Sequence, residues 1–254
     1  MFNYIPSDNL LKNKIILVTG AGAGIGRMVA KTYAKYGATV ILLGRTIAKL
    51  EQVYDEIENA GHVQAAIYPM NLEGATPKDY MDLVDNIESE FGRLDGLLHN
   101  AAILGSLTPL ANYPIEQWYQ VMQVNLNAPF MLTQACLGLL QKSEEAVCLF
   151  TSDKVGREGK AYWGAYGIAK AAQNNLMQCL ADEVETNTHI RVNSIEPYAV
   201  PTALRLQAYP GENADTLPAV KELANAYLYL MGEDSHTIHG KNFVIGDDNV
   251  DLLS

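Results

Sequence analysis

The chain has 254 residues, 48% of them hydrophobic, enough to fill the core of one globular domain spanning residues 1–254. Eighteen basic residues stand against twenty-nine acidic ones, a net charge of -11. That balance repels polyanions and excludes nucleic acid and anionic membranes as expected partners.

Met1 to Lys14 lacks the apolar core of a signal peptide, and no later apolar run reaches the ~18 residues of a membrane span. A first strand is predicted over Ile15–Thr19. It runs into Thr19-Gly20-Ala21-Gly22-Ala23-Gly24-Ile25-Gly26, and a helix follows at once. Gly20 permits a tight turn, Gly24 lets the backbone approach a pyrophosphate, and Gly26 lets the helix pack closely on the sheet. Free N–H groups at the helix start then face the phosphates. Between a strand and a helix, this loop points to a dinucleotide, with Gly20, Gly22, Gly24, Ile25 and Gly26 as cofactor-binding residues. Gly37 ends the helix. A second strand, Thr39–Leu43, leads to Gly44-Arg45. A site for NAD places an acidic residue here to hold the ribose 2′-hydroxyl. Gly44 cannot do that, whereas Arg45 can pair with a 2′-phosphate, so NADP is expected over NAD.

Gly61 closes the next helix, and a third strand is predicted over Val63–Tyr68. Thr76-Pro77 reads as an N-cap with proline at the first helical position, and Gly92 ends that helix. Further strands are predicted over Leu94–Leu98, Val147–Ser152, Arg191–Ile195 and Asn242–Ile245. They are uniformly apolar, which suits strands covered on both faces. Seven strands alternating with helices specify a single-domain α/β Rossmann fold, a doubly wound parallel sheet with helices on both faces. Its ligand site belongs at the carboxyl ends of the strands, near the reversal of strand order. Cys136, Cys148 and Cys179 lack Cys-x-x-Cys spacing and are expected as buried free thiols, which together with the missing signal peptide places the protein in the cytoplasm.

Tyr166 and Lys170 lie four apart, on one face of a predicted helix. A free tyrosine titrates near pH 10, too high for a base at neutral pH, and a neighbouring ammonium favours the phenolate. The pair is therefore a candidate proton donor and acceptor at an alcohol or ketone.

Taken together, Thr19-Gly-x-x-x-Gly24-x-Gly26, His99-Asn100-Ala101-Ala102, Asn125, Tyr166-x-x-x-Lys170 and Glu196-Pro197 make the chain resemble the short-chain dehydrogenase/reductases from about Lys14 to Gly246. The segments Leu98-His99-Asn100-Ala101, Met122-Gln123-Val124-Asn125 and Tyr162-Trp163-Gly164-Ala165-Tyr166 are most similar to the YciK-like bacterial oxidoreductases. The resemblance implies hydride transfer between a nicotinamide and a small carbonyl or alcohol substrate. It assigns Tyr166 as acid/base, Lys170 to the nicotinamide ribose and Asn125 to a water relay. It places Asn71, Leu72, Asn100, Ala101, Pro197 and Thr202 against the cofactor, and Trp163 and Tyr198 in the substrate pocket. It also implies a homodimer or homotetramer built through the helices that carry Asn125 and Tyr166.

The chain departs from the family at a telling position. Thirteen residues before the tyrosine the family has a serine that donates to the substrate oxygen, and here stands Asp153, with Gly156 fixing the same register. Ser152 is adjacent but belongs to the opposite strand face. An ionised Asp153 has no proton to give, disfavours a Tyr166 phenolate and could draw Lys170 into an ion pair. It could instead be kept protonated, serve a cationic or hydroxyl-rich substrate, or face solvent in a drifted site. Asn71, Ala102, Glu196 and Tyr198 also replace family residues. The alternative to an enzyme is a catalytically impaired dinucleotide-binding sensor or assembly subunit. The long segment Tyr198–Leu217 reads as a substrate lid in which Leu204 and Leu206 can line the pocket. His236 and His239 lack further ligands, so no metal is expected. Asp247, Asp248 and Asp251 read as a solvated acidic tail.

Overall fold

The structure, a computed structural model, describes residues 2–246 and 250–253. Strands and helices alternate from the start: β1 (Ile15–Thr19), α1 (Gly24–Lys35), β2 (Thr39–Gly44), α2 (Ile47–Asn59), β3 (Ala66–Pro69), α3 (Pro77–Phe91) and β4 (Gly96–His99). Then follow α4 (Ile115–Met122), α5 (Ala128–Leu140), β5 (Ala146–Thr151), a single turn α6 (Lys154–Arg157) and the long α7 (Gly164–Val184). The chain continues through β6 (Ile190–Glu196), α8 (Ala203–Ala208), α9 (Ala224–Met231), β7 (Asn242–Ile245) and β8 (Val250–Leu253).

The strands form one sheet in the order β3-β2-β1-β4-β5-β6-β7-β8. The first seven are parallel, as their uniformly apolar sequences require. An eighth strand, not predicted, adds antiparallel to β7 with Ile245 opposite Val250. Successive residues of a strand point to opposite faces, so β1 sends Ile16 and Val18 into one core layer and Leu17 into the other. Order reverses between β1 and β4, which are direct neighbours with Leu17 opposite Leu97. A crevice opens there at the carboxyl ends of the strands.

The helix ends follow the punctuation of the sequence. Thr76 and Asp79 form a capping box on α3, and Gly92 ends it in the left-handed conformation at φ 74°. Gly37 and Gly61 follow α1 and α2, also at positive φ.

Four expectations need correction. The third strand starts at Ala66 rather than Val63, because pairing with β2 begins only where Ile41 meets Ala66. Cys136 and Cys148 are buried, but Cys179 is exposed. Met177, Leu180, Ala181 and Val184 take the inner face of α7, and Cys179 falls on the outer one. Segment 198–217 is less irregular than its sequence suggests, since it contains α8. Asp251 lies on β8 rather than in a tail; Asp247 and Asp248 lie outside the described residues. No helix among the described residues is long and apolar enough to cross a membrane.

Candidate active site

The glycine loop is held by a clasp between β1 and β4. Thr19 Oγ1 donates to Leu98 O (3.2 Å) and accepts from the N–H groups of Asn100 (2.9 Å) and Ala101 (3.0 Å). Asn100 Nδ2 returns a bond to Thr19 O (3.1 Å). Gly20 sits at φ 69° and Gly24 at φ 54°, where side chains are strained. At Gly26 a Cβ would lie 2.3 Å from Gly20 O and 2.6 Å from Asn100 Nδ2, so only glycine lets α1 pack this closely. Helix α1 has no side-chain cap and no acidic residue in its first turn, which leaves its amides and positive dipole end open to an anion. Gly22, Gly24 and Ile25 line the same cleft.

That cleft has a volume of about 1010 Å³ and runs from the end of β2 to the start of α7. At one end Arg45 is exposed beside Lys49, and neither forms an ion pair among the described residues. Lys49 was not singled out from sequence, although a second cation four residues after Arg45 was visible. Asn71 and Leu72 follow β3, and Asn100 and Ala101 follow β4, on the same walls. The loop and the open helix end suit the pyrophosphate of a dinucleotide, and Arg45 and Lys49 line the same cleft.

At the other end Tyr166 is buried and donates to Asp153 Oδ2 (3.1 Å). Asp153 Oδ1 accepts from Val155 N (3.0 Å) and so caps α6. Burial pushes the Tyr166 phenol well above its usual range, and the Asp153 charge and hydrogen bond push it further. Lys170, also buried, donates to Thr151 O (2.6 Å) and Gln173 Oε1 (3.1 Å). Burial pulls it down to about 8, against the Asp153 charge. The expected ion pair between Lys170 and Asp153 does not form. The ammonium turns instead to β5's end and lies 5.9 Å from the Tyr166 ring centroid. Two of its three protons are used, and the third is free to meet a ligand in the cleft.

Asn125 sits in a π-helical turn, Gln123–Asn127, between α4 and α5. Its side chain is closed on Ile103, accepting from the N–H and donating to the carbonyl, both at 2.9 Å. Its own carbonyl accepts from Gln173 Nε2 (3.3 Å). Gln173 thus links Lys170 to Asn125, a role hidden in the sequence because Asn125 lies 48 residues away. Ser152 donates to Asn174 Oδ1 (2.7 Å).

The short chain dehydrogenase model matches residues 14–213. The chain belongs to the short chain dehydrogenase family. It is 46% identical to the oxidoreductase YciK of Escherichia coli K12 over 241 residues, 95% of each chain. A short chain dehydrogenase structure from Pseudomonas syringae has 53% identity and a TM-score of 0.94, covering 96% of this chain and 99% of that one. Another, from Escherichia coli CFT073 and complexed with NADPH, has 47% identity and a TM-score of 0.90 over 94% and 99%. The chain is thus an oxidoreductase of this family, and its departures from the family pattern can be read in place.

Glu196 is buried and paired with Arg157 through two bonds of 3.2 and 3.0 Å. The pair ties the end of α6 to the end of β6. Gly156 lies directly on α7, where a Cβ would come within 2.8 Å of the Lys170 backbone. Tyr198 is half-buried, lines the cleft and packs against the core. Ala102 and Pro197 line the cleft as well. Thr202 Oγ1 caps α8 by accepting from Arg205 N (3.2 Å), and its methyl stands 3.3 Å from a Cβ position on Gly24, so α8 starts against the glycine loop. Trp163 is buried between Tyr166 and Tyr209, with ring centroids 5.8 and 5.9 Å away. Leu204 faces this cluster, whereas Leu206 is exposed. Arg205 stacks on Tyr209 at 3.8 Å and pairs with Glu212 through two 2.6 Å bonds.

His236 and His239 bond backbone groups of the fold. His239 accepts from Val192 N (3.3 Å) and bonds Ala181 O (2.9 Å), and His236 bonds Glu233 O. No cluster of metal-ligating residues occurs among the described residues.

Proposed function

We propose that the chain binds NADP(H) and interconverts a carbonyl and an alcohol on a small molecule. The observation that carries this is one continuous cleft with an anion cradle at one end and the Tyr166 hydroxyl at the other. The α1 amides and Gly20, Gly22, Gly24, Ile25 and Gly26 would hold the pyrophosphate, and Arg45 with Lys49 the 2′-phosphate. Asn71 and Leu72 would flank the adenine. Asn100, Ala101, Pro197, Thr202 and the free Lys170 proton would meet the nicotinamide half. The nicotinamide supplies or takes up hydride when bound. The related structure from Escherichia coli CFT073 carries NADPH, which supports the same choice here.

Tyr166 then moves the proton at the substrate oxygen. Lys170 and Asn125 support it through the Gln173 link, and Asp153 and Trp163 line the substrate side. The segment 198–217 closes over that side as a lid, with Tyr198 at its root. Exposed Ile115, Phe130 and Ile168 on α4, α5 and α7 suit a homodimer or homotetramer formed through those helices.

A second reading has its own observation: the Tyr166 hydroxyl donates a hydrogen bond to Asp153, which favours the neutral phenol. In that reading the chain binds the dinucleotide as a sensor or assembly subunit with little turnover. Calorimetric titration with NADPH and NADH, followed by a carbonyl and alcohol screen, separates the two. Tight NADPH binding with turnover supports the enzyme, binding without turnover supports the sensor, and equal or absent binding of both dinucleotides removes the NADP assignment.

A further inference from the structure

Among the described residues, the carboxylates lining the cleft are Asp153 and Glu196. Glu196 is neutralised by Arg157. Asp153 forms no ion pair among the described residues. It takes only two hydrogen bonds from uncharged groups, Val155 N and the Tyr166 hydroxyl. The cations around it are engaged elsewhere. Lys154 pairs with Glu158, Arg205 with Glu212, and Lys170 with Thr151 O and Gln173. Arg205 and Lys170 both feel the Asp153 charge, yet neither reaches it.

This unpaired carboxylate stands where the reacting group must bind. Any substrate atom hydrogen-bonded to Tyr166 lies beside Asp153 Oδ2, which is 3.1 Å from that hydroxyl. Reduction of a carbonyl builds negative charge on its oxygen, and a fixed carboxylate there opposes it. A protonated nitrogen in the same place gains a charge-assisted N–H bond instead. The neighbouring walls are apolar, with Trp163, Leu104 and Tyr166 in one buried cluster, and a drier site strengthens the attraction.

We infer that Asp153 sets specificity for a substrate with a cationic nitrogen at the reacting position, a protonated imine or the amine derived from it. One hydride added at carbon, with the C=N π pair moving onto nitrogen, turns the protonated imine into the neutral amine, which then takes up one proton from solvent to become the ammonium. In reverse the ammonium loses that proton before hydride leaves. This rests on the hydride-transfer reading for the chemistry and replaces its carbonyl/alcohol pair by the nitrogen analogue, but the charge preference belongs to the protein alone.

The test is a binding measurement with two probes of one skeleton, cyclohexylamine in its protonated form and neutral cyclohexanol. Both are titrated calorimetrically into the full chain, with and without NADP⁺. The ammonium is expected to bind about 10-fold tighter or more, as a charge-assisted bond in a drier site should give. Asp153→Asn and Asp153→Ser are each expected to level the two, with thermal melts checking that the variants fold. Equal binding, tighter cyclohexanol, no detectable ammonium binding, or a preference that survives in a folded variant overturns the inference. The NADP⁺ titration is scored separately. Its failure would remove the hydride-transfer reading while leaving the charge preference on the protein alone to be judged.

Discussion

The two ends of the cleft are built on different principles. At the phosphate end, geometry belongs to the backbone: positive φ at Gly20 and Gly24, a missing Cβ at Gly26, and open amides at α1. At the substrate end, everything depends on side-chain charge: Asp153 against Tyr166, Glu196 against Arg157, Lys170 tied to Gln173. Backbone geometry changes only with the fold, whereas a side-chain site changes with single residues. The second end can therefore be remodelled while the first stays as it is.

The largest expected effect separates the two ends. Tyr166→Phe should lower turnover by about 10²–10⁴-fold, the usual range for lost acid–base assistance. NADPH affinity, read by calorimetry, should change little. Retained activity would take Tyr166 out of the chemistry. Gly26→Ala should do the reverse damage, because its methyl meets Gly20 O at 2.3 Å and the loop must move. Overpacking of this kind costs about 1–3 kcal/mol, so a lower melting temperature and weaker NADPH binding are expected together. An unchanged melt and affinity would show that the close packing is dispensable.

Arg45→Ala should weaken NADPH by about 10-fold and NADH much less, consistent with one lost charge-assisted bond to phosphate. Equal losses would break the 2′-phosphate assignment. A further effect concerns a buried histidine at the end of β4. His99 is buried, stacked on Phe150 and bonded to Thr133, and burial with nearby Lys170 pulls its pKa from 6.5 down to about 3. The unfolded chain takes up that proton first, so stability should fall as pH drops from about 6.5 toward 3 and lose nothing more from this group below that. Denaturant unfolding at several pH values checks this. His99→Gln should flatten the fall, and an equally steep fall in the variant would remove His99 as a cause.

The same contrast explains what could be read from sequence. The glycine loop, Gly92 and the Thr76 cap were legible because each requirement is local to a few residues. Tyr166, Lys170 and Asp153 were placed by short spacings on one strand–helix unit. Arg157 and Glu196 lie 39 residues apart, and Asn125 and Gln173 lie 48 apart, so their bonds emerge only when the sheet aligns the ends of β5 and β6 and α7 packs beside the π turn. The Asp153–Lys170 ion pair was a fair electrostatic expectation. It failed because Thr151 O and Gln173 satisfy the ammonium first. Strand β8 was missed because its residues follow an acidic run that reads as solvated.

The independence of the two ends is tested most directly by NADPH affinity in Asp153→Ser. A dissociation constant within about 2-fold of the unmodified chain is expected, since Asp153 bonds only Val155 and Tyr166 and touches none of the phosphate cradle. A loss as large as that of Arg45→Ala would contradict it and make the cleft one coupled site.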